Sequence, residues 1–203
     1  MDLLLIRHGE SYANTERVFS NSGWKHGLTP KGYEQAKSAA MAIPGFFGTP
    51  ARIYSSHLKR ACETAGVIAE NLGVEHRALA ELGEIAAGDL EGKSDAKSWN
   101  IHNNVWNRWF QLGQTDARLP GGETMQEAVD RMMTAIARIE EEEEGRKFAI
   151  VSHGGIIMAL LLSKVYGLPD FIQRRGLISN CDMVHVAKKD SMLLYRGFKS
   201  GKR

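Results

Sequence analysis

Two short apolar runs, each leading into a histidine, constrain the fold of this chain more than any other feature. Leu-Leu-Leu-Ile at residues 3–6 is followed closely by His8, and Phe-Ala-Ile-Val at residues 148–151 is followed closely by His153. Apolar runs of this length without polar alternation are typical of strands buried on both faces of a parallel sheet. Because ligands bind at the carboxyl edge of such sheets, we expect both histidines to lie at that edge.

Strand-like and helix-like segments alternate along the chain, which favours an α/β fold. We predict a three-layer sandwich with a mainly parallel central sheet flanked by helices. Strands are predicted at residues 3–6, 52–55, 74–79 and 148–151, a terminal hairpin at 183–187 and 192–195, and the main helices at 30–43, 59–72 and 125–139.

Local signals mark the ends of these helices. Thr29 followed by Pro30 supplies an N-cap and a first-turn proline, and Pro44 is expected to end that helix at about residue 43. Gly73 is expected to close the second helix in the left-handed conformation. Thr124 opens a capping-box pattern before the third helix.

Length and composition indicate one domain and exclude several classes of protein. With 203 residues and 43% hydrophobic content, the chain suits a single domain over 1–203 with an inserted cap at about 93–119. A formal net charge of +2 favours neither nucleic acid nor a membrane as partner. Cys62 and Cys181 lack metal-ligand or disulfide spacing, so we expect no metal and a cytoplasmic location.

Two surface features are interpreted without a functional role. Five consecutive glutamates at residues 140–144 are expected to form a solvated helix end, and the tail at 199–203 is expected to fray.

The aromatic side chains of the cap are expected mainly to pack its helix, although a second role beside a ligand stays open for Trp99, Trp106, Trp109 and Phe110.

The residues around the two histidines are suited to binding and transferring a phosphoryl group. Arg7 and Arg60 follow buried strands, and the planar guanidinium of arginine binds two phosphate oxygens at once. A neutral imidazole at His8 is a candidate nucleophile, and Glu84 is a candidate proton donor. Asn14 is a candidate amide donor to the same anion.

Four motifs in this order resemble those of the histidine phosphatase superfamily, the phosphoglycerate mutase-like proteins. The resemblance covers about residues 3–162 and rests on Arg7-His8-Gly9 with Asn14, Leu28-Thr29-x-x-Gly32, Ser56-x-Leu-x-Arg60-Ala61-x-x-Thr64-Ala65, and Ser152-His153-Gly154-Gly155. It implies that His8 becomes phosphorylated without a metal or other cofactor. It also implies a phosphate pocket formed by Arg7, Asn14, Arg60, His153 and Gly154.

The proton donor is placed by the same resemblance. The segment 82–92 resembles the acid-bearing stretch of the family, and its register favours Glu84 over Glu81 and Glu91. Ala87 stands where relatives usually carry an aromatic residue, which predicts a more open pocket wall. Lys25 lies in the segment before Leu28 where many relatives carry an aspartate, and nothing in the sequence explains that departure.

The sequence favours a phosphatase that hydrolyses small phosphate monoesters through a phosphohistidine on His8, with Glu84 and His153 as the other catalytic residues. Pro-Gly-Gly-Glu-Thr at 120–124 resembles the phosphatase branch, and the mutase-type arginine after the acid is missing. A 2,3-bisphosphoglycerate-dependent phosphoglycerate mutase is the alternative enzyme, and a non-catalytic module that binds a phosphorylated ligand or a partner is the other alternative. The expected partner is a small phosphorylated metabolite, with a homodimer through an exposed sheet edge left open.

Overall fold

A seven-stranded sheet forms the centre of the computed structural model, which describes residues 1–174 and 178–201. The strands are β1 (Asp2–Arg7), β2 (Arg52–Ser56), β3 (Glu75–Leu79), β4 (Phe148–Ser152), β5 (Val165–Tyr166), β6 (Met183–Lys189) and β7 (Met192–Lys199). Their order is β3-β2-β4-β1-β6-β7-β5, and the first four run parallel to one another. Strand β6 is antiparallel to β1 and to β7, so the predicted terminal hairpin is confirmed.

Helices cover both faces of this sheet. They are α1 (Tyr12–Thr15), α2 (Pro30–Phe46), α3 (Lys59–Leu72), α4 (Ala96–Phe110), α5 (Met125–Glu142), α6 (Gly154–Lys164) and α7 (Asp170–Gln173). Leu3 and Leu5 pack in the core beneath α5 and α6, whereas Leu4 and Ile6 pack in the core beneath α2 and α3. The alternation explains why β1 is apolar throughout, and it confirms the predicted three-layer α/β sandwich. No helix within the described ranges is both long and apolar enough to cross a bilayer.

The pairing of β1 with β4 places the two histidines side by side. These strands run parallel with Arg7 opposite Ser152, so the residues that follow them, His8 and His153, leave the sheet at the same edge. The backbone N–H of His8 donates to the carbonyl of Ser152 at 2.9 Å, which extends the ladder by one bond. Strand β2 lies on the other side of β4 and leads into the first turn of α3, where Arg60 lies.

Most helix ends follow the local sequence signals. Helix α3 spans the predicted residues, with Gly73 left-handed at φ 65°, and Thr124 forms the predicted capping box at the start of α5. The predicted end of α2 is wrong, because the helix continues through Pro44 to Phe46. Pro44 lacks an N–H to donate to the turn before it, but the N–H groups of Phe47 and Gly48 both bond to the carbonyl of Ile43. These bonds and the burial of Phe47 hold the last turn closed.

The glutamate run is not wholly solvated, which corrects the interpretation from sequence. The side chain of Glu143 is 1% exposed, and its Oε1 accepts hydrogen bonds from Arg52 Nη1 at 2.6 Å and from the Tyr54 hydroxyl at 2.7 Å. Arg146 Nη2 lies 3.1 Å from its other carboxylate oxygen. At the chain end, β7 continues through Lys199, and residues 202–203 of the predicted frayed tail lie outside the described residues.

Replacing Glu143 with alanine is expected to lower the free energy of unfolding by about 2 kcal/mol, because Arg52 and the buried Tyr54 hydroxyl lose a charged acceptor. Glu141→Ala, in the same run but exposed, is the matched control and is expected to change that free energy by less than about 0.5 kcal/mol. Urea unfolding followed by circular dichroism measures both. Equal effects of the two substitutions would contradict a structural role for Glu143.

Candidate active site

The contacts of the His8 ring leave one nitrogen directed at a group of cations. Its Nδ1 lies 2.6 Å from the carbonyl oxygen of Gly9, which only accepts, so the proton is assigned to Nδ1. Nε2 accepts a hydrogen bond from Arg60 Nε at 3.1 Å. The amide of Asn180 donates to the His8 carbonyl at 3.0 Å, and the Thr64 hydroxyl accepts from the Gly9 N–H at 3.0 Å. These contacts fix both the tautomer and the orientation of the ring.

The surroundings of His8 keep its imidazole neutral. Burial lowers the pKa of His8 well below its ordinary value, and the positive charges of Arg60 and Arg7 lower it further. Desolvation disfavours the imidazolium, and neighbouring cations repel it. At neutral pH the Nε2 atom is therefore unprotonated, and the electron pair that accepts from Arg60 is the one that a nucleophile requires.

His153 lies beside His8 with both ring nitrogens available. The two ring centroids are 5.1 Å apart with the planes tilted by 60°, and the His153 side chain is fully buried. Neither of its ring nitrogens has a hydrogen-bond partner among the residues that the structure describes. Burial, Arg60 and His8 lower the pKa of His153 well below its ordinary value. Buried polar atoms are rarely left without partners, so this ring is suited to bind a ligand oxygen.

Arg60 and Arg7 bring two guanidinium groups to the same site. Arg60 Nη1 donates to the carbonyl of Ser20 at 2.7 Å, and burial lowers the pKa of Arg60 to about 10, which leaves it charged at neutral pH. Arg7 Nη1 donates to the carbonyl of Ile178, while its buried Nε has no partner within the described part of the chain. Burial lowers the pKa of Arg7, and the carboxylate of Glu84 opposes that effect. The site therefore has a positive field suited to a phosphate.

Glu84 lies at the N-terminus of α6, next to the cations. Its carboxylate accepts from the backbone N–H groups of Gly155 at 2.9 Å, Ile156 at 2.8 Å and Ile85 at 2.9 Å. A Cβ on residue 155 would lie 2.7 Å from Glu84 Oε1, so glycine is needed there for the carboxylate to fit. The first backbone N–H groups of α6 thus bind the carboxylate of Glu84 in this arrangement.

The backbone that carries Glu84 is held by an ion pair from α5. Arg131 donates to both carboxylate oxygens of Glu123 at 2.8 Å and also to the carbonyls of Glu81, Gly83 and Glu84. Glu123 in turn accepts from the N–H of Ala86 at 2.8 Å. An arginine that binds a carboxylate through two hydrogen bonds fixes the relative orientation of the two side chains. Arg131 and Glu123 together therefore hold the backbone before and after Glu84.

Two further predicted phosphate ligands border the cavity with different local roles. Asn14 uses its Oδ1 to accept from the backbone N–H of Ser11 at 3.1 Å, where it forms part of a capping box at the start of α1. Gly154 is the first residue of α6 and lines the cavity. Six of the residues that the sequence predicted for the site line one cavity: Arg7, His8, Asn14, Arg60, Glu84 and Gly154. The seventh, His153, is buried with its ring beside that of His8.

This cavity has a volume of about 420 Å³ and extends from the phosphate site to the aromatic side chains of α4. Trp99, His102, Trp106 and Trp109 line it, together with Phe19 from the loop after α1. Trp109 is also buried in the core, so it packs the cap helix as well as lining the cavity. Phe110 packs on Trp106 with its ring centroid 4.6 Å away.

Sequence reasoning missed several residues that complete the site. Asn180 and Ile178 come from a segment about 170 residues away along the chain, and no motif marks them. Ser20 acts through its backbone carbonyl, which any residue supplies. No motif marks Arg131 on α5, and its partners Glu81, Gly83 and Glu84 lie about 50 residues earlier in the chain. His102 was detectable from its helical spacing between Trp99 and Trp106, three and four residues away.

Comparison with known proteins decides the family. Residues 3–193 match the sequence profile described as the histidine phosphatase superfamily (branch 1). The chain belongs to the histidine phosphatase superfamily. It is 34% identical over 198 residues to the probable phosphoglycerate mutase GpmB of Salmonella paratyphi C, covering 98% of this chain and 90% of that protein.

Solved structures of the superfamily include phosphatases and a mutase. The α-ribazole phosphatase from Shigella flexneri superposes with a TM-score of 0.77 and 25% identity, covering 99% of this chain and 97% of that one. A phosphoglycerate mutase from Bacillus anthracis superposes with a TM-score of 0.81 at 19% identity, covering 97% and 91%, and so shares the fold. The superfamily assignment makes this chain a phosphatase or a mutase.

The two neutral, buried histidines are expected to make stability fall with acidity. The unfolded chain binds protons at both as the pH drops below about 6.5, whereas the folded chain, with both pKa values lowered, does not. Each histidine therefore lowers the free energy of unfolding by up to about 1.4 kcal/mol per pH unit below that point. Urea unfolding between pH 7.5 and pH 5.5 measures this slope, and a His8→Asn/His153→Asn variant is expected to flatten it. An unchanged slope in that variant would contradict the assignment of His8 and His153 as neutral in the folded protein.

Proposed function

We propose that this protein is a phosphatase that hydrolyses small phosphate monoesters through a phosphohistidine on His8. The observation that carries the proposal is the environment of His8: Nδ1 donates to Gly9, the neutral Nε2 accepts from Arg60, and the ring of His153 lies beside the His8 ring. A phosphate bound by Arg7, Arg60 and His153, with Gly154 and Asn14 at its rim, presents its phosphorus to that nitrogen. The guanidinium groups oppose the negative charge of the equatorial oxygens in the transition state.

In the first step, the electron pair of His8 Nε2 forms the N–P bond while the P–O bond to the alcohol breaks. Glu84, which lies against the start of α6 beside the phosphate site, enters this step in its protonated form and gives its proton to the leaving alkoxide. In the second step, the Glu84 carboxylate removes a proton from water, whose oxygen attacks phosphorus and releases His8. The net products are the alcohol and inorganic phosphate.

The cavity beyond the phosphate site favours a phosphatase over a mutase. A mutase that handles phosphoglycerates must bind a carboxylate and a second phosphate, which requires further cations. Among the cavity-lining residues that the structure describes, the arginines and lysines are Arg7, Arg17 and Arg60, and none comes from α4. We propose that residues 93–119 act as a cap whose uncharged cavity-lining side chains select the alcohol. The likeness to the α-ribazole phosphatase supports this choice.

Phosphoglycerate mutase is the second candidate, because the 34% identical relatives carry that name as a probable activity. The two enzymes are separated by incubating the protein with 3-phosphoglycerate, with and without a bisphosphate primer. Release of phosphate that outpaces formation of 2-phosphoglycerate supports the phosphatase. Primer-dependent isomerisation faster than phosphate release would overturn it.

A non-catalytic phospholigand-binding module is a weaker alternative. Such a module needs the cations but not a nucleophile fixed in one tautomer, nor a carboxyl group held by the backbone N–H groups of Gly155 and Ile156. The arrangement of His8 and Glu84 therefore supports turnover.

Substitution of the nucleophile is expected to abolish activity. His8→Asn is expected to reduce kcat/KM for p-nitrophenyl phosphate by at least about a thousandfold, because no covalent intermediate can form. His57→Asn is the matched control, because His57 is an exposed histidine just before α3, and this variant is expected to retain activity. Labelled phosphate trapped on the wild-type protein under alkaline conditions, and absent from His8→Asn, identifies the intermediate. A fully active His8→Asn protein would refute the mechanism.

The role of Glu84 is expected to depend on the leaving group. Glu84→Gln is expected to lower kcat/KM by about a hundredfold for an alkyl phosphate, whose alkoxide needs a proton. The effect on p-nitrophenyl phosphate is expected to be much smaller, since p-nitrophenolate leaves without protonation. Glu81→Gln, whose partly exposed side chain pairs with Arg138, is the control. An equal loss on both substrates would show that Glu84 acts only in binding or structure.

A further inference from the structure

The cavity has an aromatic wall formed by Phe19, Trp99, His102, Trp106 and Trp109. This wall and the phosphate site are parts of one continuous surface, joined through two consecutive residues. The carbonyl of Ser20 accepts from Arg60, and the ring of Phe19, one residue earlier, lies 4.3 Å from the ring of Trp99. The backbone of Phe19 bonds to Lys93 at 2.9 Å and to Gly92 at 2.8 Å, where the cap segment begins. A ligand phosphate bound at Arg60 therefore lies in the same cavity as this wall.

The rings of the wall are held in fixed orientations by the protein itself. The indole N–H of Trp99 donates to the carbonyl of Arg17 at 2.9 Å, and that of Trp109 donates to the carbonyl of Ala117 at 2.6 Å. The ring of His102 stacks on Trp106, with centroids 5.1 Å apart and planes 27° apart. Because the polar atoms of Trp99 and Trp109 are already paired, these rings offer apolar surface to a ligand.

The wall carries no charge at neutral pH, although one cation, Arg17, and one amide, Asn21, lie at its rim. Burial lowers the pKa of His102, so that ring is neutral. The guanidinium of Arg17 lies 5.4 Å from the centroid of Trp99, and Asn21 also borders the cavity. A polyol or a carboxylate would lose water here without gaining partners from the rings. A flat ring with polar atoms at its edge gains contact with the wall and hydrogen bonds at the rim.

We propose that the site selects phosphate monoesters whose alcohol carries a planar heteroaromatic ring, of which a nucleoside 5′-monophosphate is the simplest kind. This inference rests on the proposed phosphatase function. It assigns Trp99, His102 and Trp106 as the surface that contacts the ring, and Arg7, Arg60 and His153 as the groups that hold the phosphate.

A matched pair of substrates tests the proposal. Adenosine 5′-monophosphate and ribose 5-phosphate are both esters of a primary sugar hydroxyl, and the main difference between them is the base. We expect kcat/KM to be at least about tenfold higher for the nucleotide, the size typical of one base stacked on an aromatic side chain. Equal values for the two substrates would overturn the selection while leaving the phosphatase intact.

Variants of one wall residue locate the effect. Trp106→Leu is expected to bring the ratio of the two kcat/KM values close to one, whereas Trp106→Phe, which keeps a ring, is expected to preserve most of it. Trp24→Leu is the matched control, because Trp24 is 59% exposed and does not line the cavity. Thermal melting checks that each variant is folded. A ratio that survives Trp106→Leu and Trp99→Leu in folded proteins would contradict the assigned surface.

Binding measurements separate this inference from the proposed function. If neither ester is hydrolysed, the phosphatase function fails, and calorimetric titration with the same two esters then tests the surface alone. Binding of adenosine 5′-monophosphate at least about tenfold tighter than ribose 5-phosphate would uphold the ring-binding surface without turnover. Equal binding would refute it.

Discussion

The parallel pairing of β1 with β4 is the constraint on which the rest of the site depends. It places His8 and His153 at one buried edge, and β2 next to β4 adds Arg60 to them. Burying guanidinium groups together is costly, and water does not screen them there. This edge lowers the pKa values of both histidines, first because burial disfavours the imidazolium and then because Arg60 and Arg7 repel it.

Much of the fold was accessible from sequence because the signals were local. The apolar runs at 3–6 and 148–151, the glycine after α3 and the capping box before α5 each depend on neighbours a few residues away. The principal site residues followed from the same logic, since His8, Arg60 and His153 all lie just after a strand. Residue order alone therefore placed the chemical groups at one edge.

Apart from the end of α2, which Phe47 and Gly48 set locally, the features that sequence analysis missed involve contacts between distant segments. Glu143 was interpreted as solvated because its run of charges is polar, yet its burial is decided by Arg52 and Tyr54 on β2. The hold of Arg131 on the Glu84 loop depends on how α5 packs beside that loop. Asn180 reaches His8 from the segment before β6. No periodicity or motif encodes such pairs, because each depends on the finished packing.

The loop that carries Phe19 and Ser20 connects the cap segment to the phosphate site. Its backbone bonds to Gly92 and Lys93 at the start of the cap segment, and the carbonyl of Ser20 accepts from Arg60. A change in the cap that shifts this backbone therefore also shifts a hydrogen-bond partner of Arg60. An engineered exchange of the cap between relatives should include the loop, so that both sets of bonds are preserved.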